Sequence, residues 1–159
     1  MTFDELPTVD RSNRPLELSN AIIKSVSISN DDHGQLTAWL HLQFDCGECG
    51  FGGYALGKAD GDNLSAPGNY AGEFLVRCIN TVMVDGYGKW EKLAGEPVRC
   101  LHEGLGGVIV AIGNFIKDKW FCPRIEFERQ PMTNLTLVQL RDFAAEHAGE
   151  TFDIADPLF

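Results

Sequence analysis

From residue 18 onward the chain places apolar side chains at every second position. Ile22, Val26 and Ile28 alternate with Ile23, Ser25 and Ser27, and after Asn30-Asp31-Asp32-His33-Gly34 the set Leu36, Ala38, Leu40, Leu42 and Phe44 alternates with polar neighbours. A period of two marks a strand with one buried face. The residues between the two runs offer side-chain hydrogen bonds and a glycine free to take positive φ. The pattern predicts a β-hairpin whose second strand turns Thr37, Trp39, His41 and Gln43 outward. Phe51 to Leu56 reads as a third, glycine-softened strand, and Gly57 to Pro67, rich in Gly, Asp and Asn, as a loop.

The period then changes to that of a helix. Ala71, Phe74, Leu75, Cys78 and Val82 form one apolar stripe, Asn69 can cap it, Glu73 lies where the helix dipole favours negative charge, and Asp85-Gly86 ends it. Tyr87 to Leu93 predicts a short helical turn with Trp90 as a plug of the core. Val98 to Leu101 and Val108 to Ile112 read as a second hairpin. Phe121 to Phe127 reads as an edge strand, because Pro123 cannot donate to a ladder. Thr136, with Gln139 three residues on, opens a final helix that buries Leu137, Leu140 and Ala144 and stops near Gly149.

Strands grouped on either side of one helix specify the α+β class. The expected architecture is a mainly antiparallel sheet of about five to six strands packed against a central helix, with an additional C-terminal helix. Residues 1–17 are polar, contain Pro7 and Pro15 and show no period, so they read as a flexible arm. A single domain over 18–149 and an acidic C-terminal tail over 150–159, with Phe152, Ile154, Leu158 and Phe159 as apolar beads, complete the organisation.

Composition narrows the classes. A chain of 159 residues can bury a single core, and 44% hydrophobic with 23% charged residues is globular rather than disordered. The longest apolar runs, such as Val108 to Ile112, are far too short to cross a bilayer. Met1 to Pro7 is acidic and no apolar stretch follows, so a cytoplasmic protein is expected. Five cysteines, an odd number, point to reduced thiols. A net charge of −10 repels polyanions, so direct nucleic-acid binding is not expected, while it suits solubility or docking on a basic surface.

No G-x-S-x-G, H-E-x-x-H or P-loop pattern is present, and the expectation is a non-enzyme without a cofactor. Cys46 and Cys49 have zinc half-site spacing, with Cys100 and His102 as an unusual second half; the competing reading is two small turn cysteines. Cys49 or Cys100 with His102 is a further alternative, a nucleophile pair. Gly50-Phe51-Gly52-Gly53 is not followed directly by a helix, as a phosphate cradle would be. Its glycines suit close packing against Trp or Phe instead. Lys117-Asp118-Lys119-Trp120-Phe121 either stacks on and neutralises a nucleotide or turns to seal a sheet edge. The candidate binding residues are Phe51, Tyr54, Lys117, Asp118, Trp120 and Trp39.

The "GFGGY" run at Gly50–Tyr54, Gly72-Glu73-Phe74-Leu75, the Val84 to Gly95 segment with Trp90, and the "IGxxIKDxWF" run at Ile112–Phe121 resemble a family of small bacteriophage- and prophage-encoded proteins. The likeness spans about Ile22 to Pro123. It implies an accessory phage gene expressed in the cytoplasm of the bacterial host, of the kind that acts by binding a host or defence component. The expectation is therefore a non-enzymatic, homo-oligomeric binding protein that inhibits or sequesters a bacterial protein target. The alternative is a sponge for a small nucleotide-like ligand, lined by Phe51, Tyr54, Lys117 and Trp120.

Overall fold

The computed structural model describes residues 1–60, 63–65, 70–104, 106–128, 145, 146 and 148. In chain order the elements are β1 (Glu17–Asp32), β2 (Gln35–Phe44), β3 (Gly47–Gly52), β4 (Lys58–Asp60), β5 (Asn63–Ser65), α1 (Tyr70–Val82), β6 (Pro97–His102), β7 (Ile109–Asn114), β8 (Trp120–Phe121) and α2 (Pro123–Glu128), with 3-10 turns at Phe3–Glu5 and Trp90–Leu93. All strands join one sheet in the order β5-β4-β2-β1-β6-β7-β8, with β3 also paired to β2. Every pairing is antiparallel. The protein is thus α+β, an antiparallel sheet of five longer and three short strands on a central helix, with a further helix after the sheet. No helix among the described residues is long and apolar enough to cross a membrane.

The first hairpin reverses through His33 and Gly34, both at positive φ (54° and 76°), the combination whose twist matches the flanking strands. Lys24 is an extra residue in β1, since Ile23 pairs with Leu42 and Ser25 with His41. This bulge shifts the phase of the alternation by one. Before it Ala21 and Ile23 point inward and Ile22 is 46% exposed; after it Val26 joins the inner face opposite Leu40. The set Ile22, Val26, Ile28 therefore does not share one buried face, although the alternation is real on both sides of the bulge.

On the inner face α1 lays Phe74, Cys78 and Val82 against Ile23, Leu40, Leu42, Phe51, Val98, Ile112 and Phe121. On the other face Leu6, Leu101, Val110, Ala111, Trp120 and Cys122 form a second core. The N-terminal residues expected as a flexible arm are tied to this face. Trp120 N–H donates to the Met1 carbonyl at 2.9 Å, Phe3 N–H to Asp118 Oδ1 at 2.8 Å, and the Phe3 ring lies 5.4 Å from that of Trp120. The arm shows no period because its anchors on this face, Met1, Phe3, Leu6 and Leu16, fall at irregular intervals.

The expected edge strand over Phe121–Phe127 stops at Phe121. Pro123 instead opens α2, where a missing N–H costs nothing, and the Cys122 carbonyl accepts from the N–H groups of Ile125 and Glu126. The helix expected from Thr136 falls outside the described residues apart from 145, 146 and 148, and the 150–159 tail lies wholly outside them.

Asn114 joins helix to sheet. Its amide is 2% exposed and donates to the carbonyls of Thr81 (3.0 Å) and Val82 (3.2 Å), two acceptors that the last turn of α1 leaves without helical partners. Its Oδ1 accepts from the N–H groups of Ile116 and Lys117. Asn114→Ala is expected to cost about 3 kcal/mol, because several buried polar groups lose their partners together. Asn114→Asp should cost at least as much near neutral pH, since a carboxylate would face two carbonyls at the negative end of a helix. That environment raises the folded-state pKa of the new acid, so the deficit should shrink as pH falls from about 7 to about 5. Urea midpoints at the two pH values check this; Asn114→Asp matching the parent at neutral pH would refute it.

Candidate functional site

The six residues proposed from sequence do not converge on one pocket. Phe51 is fully buried, with the rings of Phe74 and Phe121 at 5.8 and 6.1 Å. The Gly50–Leu56 and Asn114–Phe121 segments thus meet, but inside the core. Trp120, 2% exposed, lies on the opposite face of the sheet, with the Arg99 guanidinium 4.8 Å above its ring. Its indole N–H donates to Asp118, which also accepts the Phe3 N–H. Lys117 Nζ donates to the Val84 carbonyl just past α1. Each charge of the Lys117-Asp118 pair is therefore spent on a structural bond. Tyr54 is half-buried against Phe51 and Phe74, and burial pushes its hydroxyl up to about 12.

Trp39 is the exception. It projects from β2 on the outer face, half-exposed, and its indole lies flat across Gly50 and Gly53 of the neighbouring segment. A Cβ at Gly50 would sit 2.8 Å from the indole, and one at Gly53 would run into it, so these glycines are required by the close approach. His41 stacks beside Trp39 with ring centroids 6.4 Å apart, and His41 Nε2 lies 3.3 Å from Ser27 Oγ. Farther along this face Ile22 and Leu18 are 46% and 51% exposed. The result is a flat, rigid platform of one indole, one imidazole and small side chains.

A cleft of about 550 Å³ opens at the end of the inner face that α1 does not line, between β1, the β2–β3 turn and the β6–β7 loop. It gathers Cys46, Cys49, His102 and Ser19, a grouping the sequence hinted at for the first three and gave no sign of for Ser19. Gly104 N–H donates to His102 Nδ1 at 3.0 Å, which assigns the ring proton to Nε2, and Nε2 in turn donates to Ser19 Oγ at 2.7 Å. In that tautomer the one ring lone pair of His102, on Nδ1, already accepts the Gly104 N–H and does not face Ser19. Cys49 Sγ donates to the Gly107 carbonyl at 3.6 Å. Cys100 is fully buried, and burial, with the nearby Cys49 as a smaller cause, pushes its thiol up to about 12. A Cys–His nucleophile pair is not assembled here.

The zinc arrangement fares no better. Both ring nitrogens of His102 are engaged, and among the described residues no group of three or more His, Cys, Asp or Glu is placed to hold a metal ion.

Thiol accessibility gives a direct check. Cys46 is exposed and Cys49 half-buried, while Cys78, Cys100 and Cys122 are buried, and burial raises each of these three thiols. Under native conditions iodoacetamide should modify Cys46 first, Cys49 more slowly, and the other three on the order of 100-fold more slowly still, by opening of the structure. Peptide mass mapping over time reads the order; early modification of Cys100 would contradict it. No protein-family model, no curated protein and no solved structure matches this chain.

Proposed function

We propose that this is a non-enzymatic binding protein of the phage-encoded kind, which inhibits or sequesters a bacterial host or defence protein by docking the outer face of its sheet on a basic surface of that target. The observation that carries the reading is Trp39. An indole clamped flat on two glycines and a stacked histidine is held in one orientation while part of its surface faces solvent. Such a side chain loses little conformational entropy when a partner covers it, and Trp is among the residues that dominate interface energetics.

Farther along the same face, exposed Ile22 and Leu18 add apolar surface. The net charge of −10 supplies long-range attraction to a basic surface and repulsion from acidic ones. The resemblance to phage-encoded proteins supports the choice of a bacterial protein as target.

Affinity capture from bacterial lysate tests the reading when three baits are compared: the parent, Trp39→Ala, and Ile116→Ala, a control at a residue 78% exposed on the β7–β8 turn. The parent and Ile116→Ala should retain the same basic protein, released by salt, and Trp39→Ala should retain at least ~10-fold less. Equal retention by all three baits would overturn the proposal. So would a shift of the purified protein from oligomer to monomer in Trp39→Ala, which would make the face a contact between copies of this chain.

A further inference from the structure

A second cleft, of about 580 Å³, lies between the N-terminal loop, the β6–β7 hairpin and α2. Its volume is within the range of ordinary small-ligand sites. The loop is closed by backbone bonds from Asp10 N–H to the Arg14 carbonyl (2.8 Å) and from Asn13 N–H to the Asp10 carbonyl (3.1 Å). The Asp10 carboxylate accepts the N–H groups of Ser12 and Arg14 and the Arg14 Nε–H, at 2.7 to 2.9 Å. Its bonding capacity is used within the loop. The loop thus presents Arg11 and Arg14 from a preorganised frame.

Opposite the loop stands Arg124 on α2. Among the described residues neither Arg11 nor Arg124 has a carboxylate within ion-pair distance, and Glu126, two residues beyond Arg124, is committed to Arg77 at 2.9 Å. In a chain of net charge −10, three guanidiniums meet at one cleft whose lining carries only two carboxylates, Asp10 and Glu103. Apart from Ser12, the rest of the lining is aromatic and aliphatic. Tyr54 and Phe127 meet edge to face at 6.2 Å, and Val108 and Val110 complete the apolar surface. Guanidinium forks match phosphate oxygens, and aromatic and aliphatic carbon suits a planar ring.

We infer that this cleft binds a nucleoside monophosphate, with Arg11, Arg14 and Arg124 around the phosphate and the base against Tyr54 and Phe127. The site is distinct from the Trp39 platform and does not depend on the docking reading. Of the residues singled out from sequence only Tyr54 belongs to it. A free mononucleotide is favoured over a nucleic-acid strand because the remaining surface charge repels a polyanion.

Isothermal titration of the full chain with AMP, GMP, CMP and UMP, and with adenosine and inorganic phosphate as fragments, tests the inference. At least one mononucleotide should bind at least ~10-fold more tightly than either fragment. The Arg11→Gln/Arg124→Gln variant, altered only at exposed side chains and checked for an unchanged urea midpoint, should lose at least ~10-fold of that affinity, and Phe127→Ala should weaken the mononucleotide but not phosphate. No saturable heat with any of the four up to about 5 mM would overturn the inference. Equal binding of phosphate and mononucleotide would remove the base from the site, and unchanged affinity in the double arginine variant would place binding elsewhere.

Discussion

The Asn114 side chain is the joint on which both layers of the molecule depend. A primary amide has two donors and an acceptor with two lone pairs, and here all of that capacity is used: two carbonyls at the end of α1 on one side and two N–H groups of the β7–β8 turn on the other. The helix end and the turn are thereby fixed to one point, with Arg99 adding bonds to the Asn114 and Lys117 carbonyls. A set turn places Asp118 where it can hold the Phe3 N–H and the Trp120 indole. The N-terminal residues then cover Trp120, and the second core exists because they do. The loop Asp10–Arg14 is carried to α2 by the same anchored segment. One buried amide thus lies upstream of the helix position, the outer core and the cleft that gathers the arginines.

How much of this was legible follows from the range of each interaction. The β1–β2 hairpin and α1 are set by alternation and by a single apolar stripe, both local, and both appear in the sequence at nearly their true bounds. Lys24 broke the phase of β1 because a bulge has no compositional mark when the inserted residue is an ordinary exposed lysine. Pro123 was equivocal for a different reason: it is as compatible with a sheet edge as with the first position of a helix, and what decided is the acceptor offered by Cys122. The arm was unreadable because what ties it to the sheet is distant in the chain: Met1 meets Trp120 and Phe3 meets Asp118, each more than a hundred residues on.

The site was less legible than the fold. Phe51, Trp120, Lys117 and Asp118 form in sequence an aromatic and charged set, the composition a stacking site would share. Their roles separate only once the sheet exists, because Ile112 pairs with Phe121 and Gly113 with Trp120, which sends successive aromatics to opposite faces. The glycine-rich run was read correctly as allowing close approach to an aromatic, and the aromatic is Trp39. Arg11 and Arg124 carried no local signal. Each looks like an ordinary surface cation until the loop and α2 are brought together.

The Trp39 face and the arginine-lined cleft place opposite electrostatic demands on one acidic chain. A platform that approaches a basic partner gains from the global charge, since attraction acts over about a Debye length, roughly 8 Å at physiological ionic strength, before any contact forms. An anion-binding cleft must overcome that same field, and it can do so only at short range, where guanidiniums donate directly and an apolar wall weakens screening. The fold keeps the demands apart by geometry. The Trp39 platform belongs to β2 and its glycine neighbours, whereas the arginines come from the loop and from α2. Asp10 makes the arrangement workable. By turning its carboxylate inward onto two N–H groups and the Arg14 Nε–H, it keeps its charge paired with Arg14, so that Arg11 and Arg124 face the one other lining carboxylate, Glu103, and the same bonds fix the loop that carries Arg11.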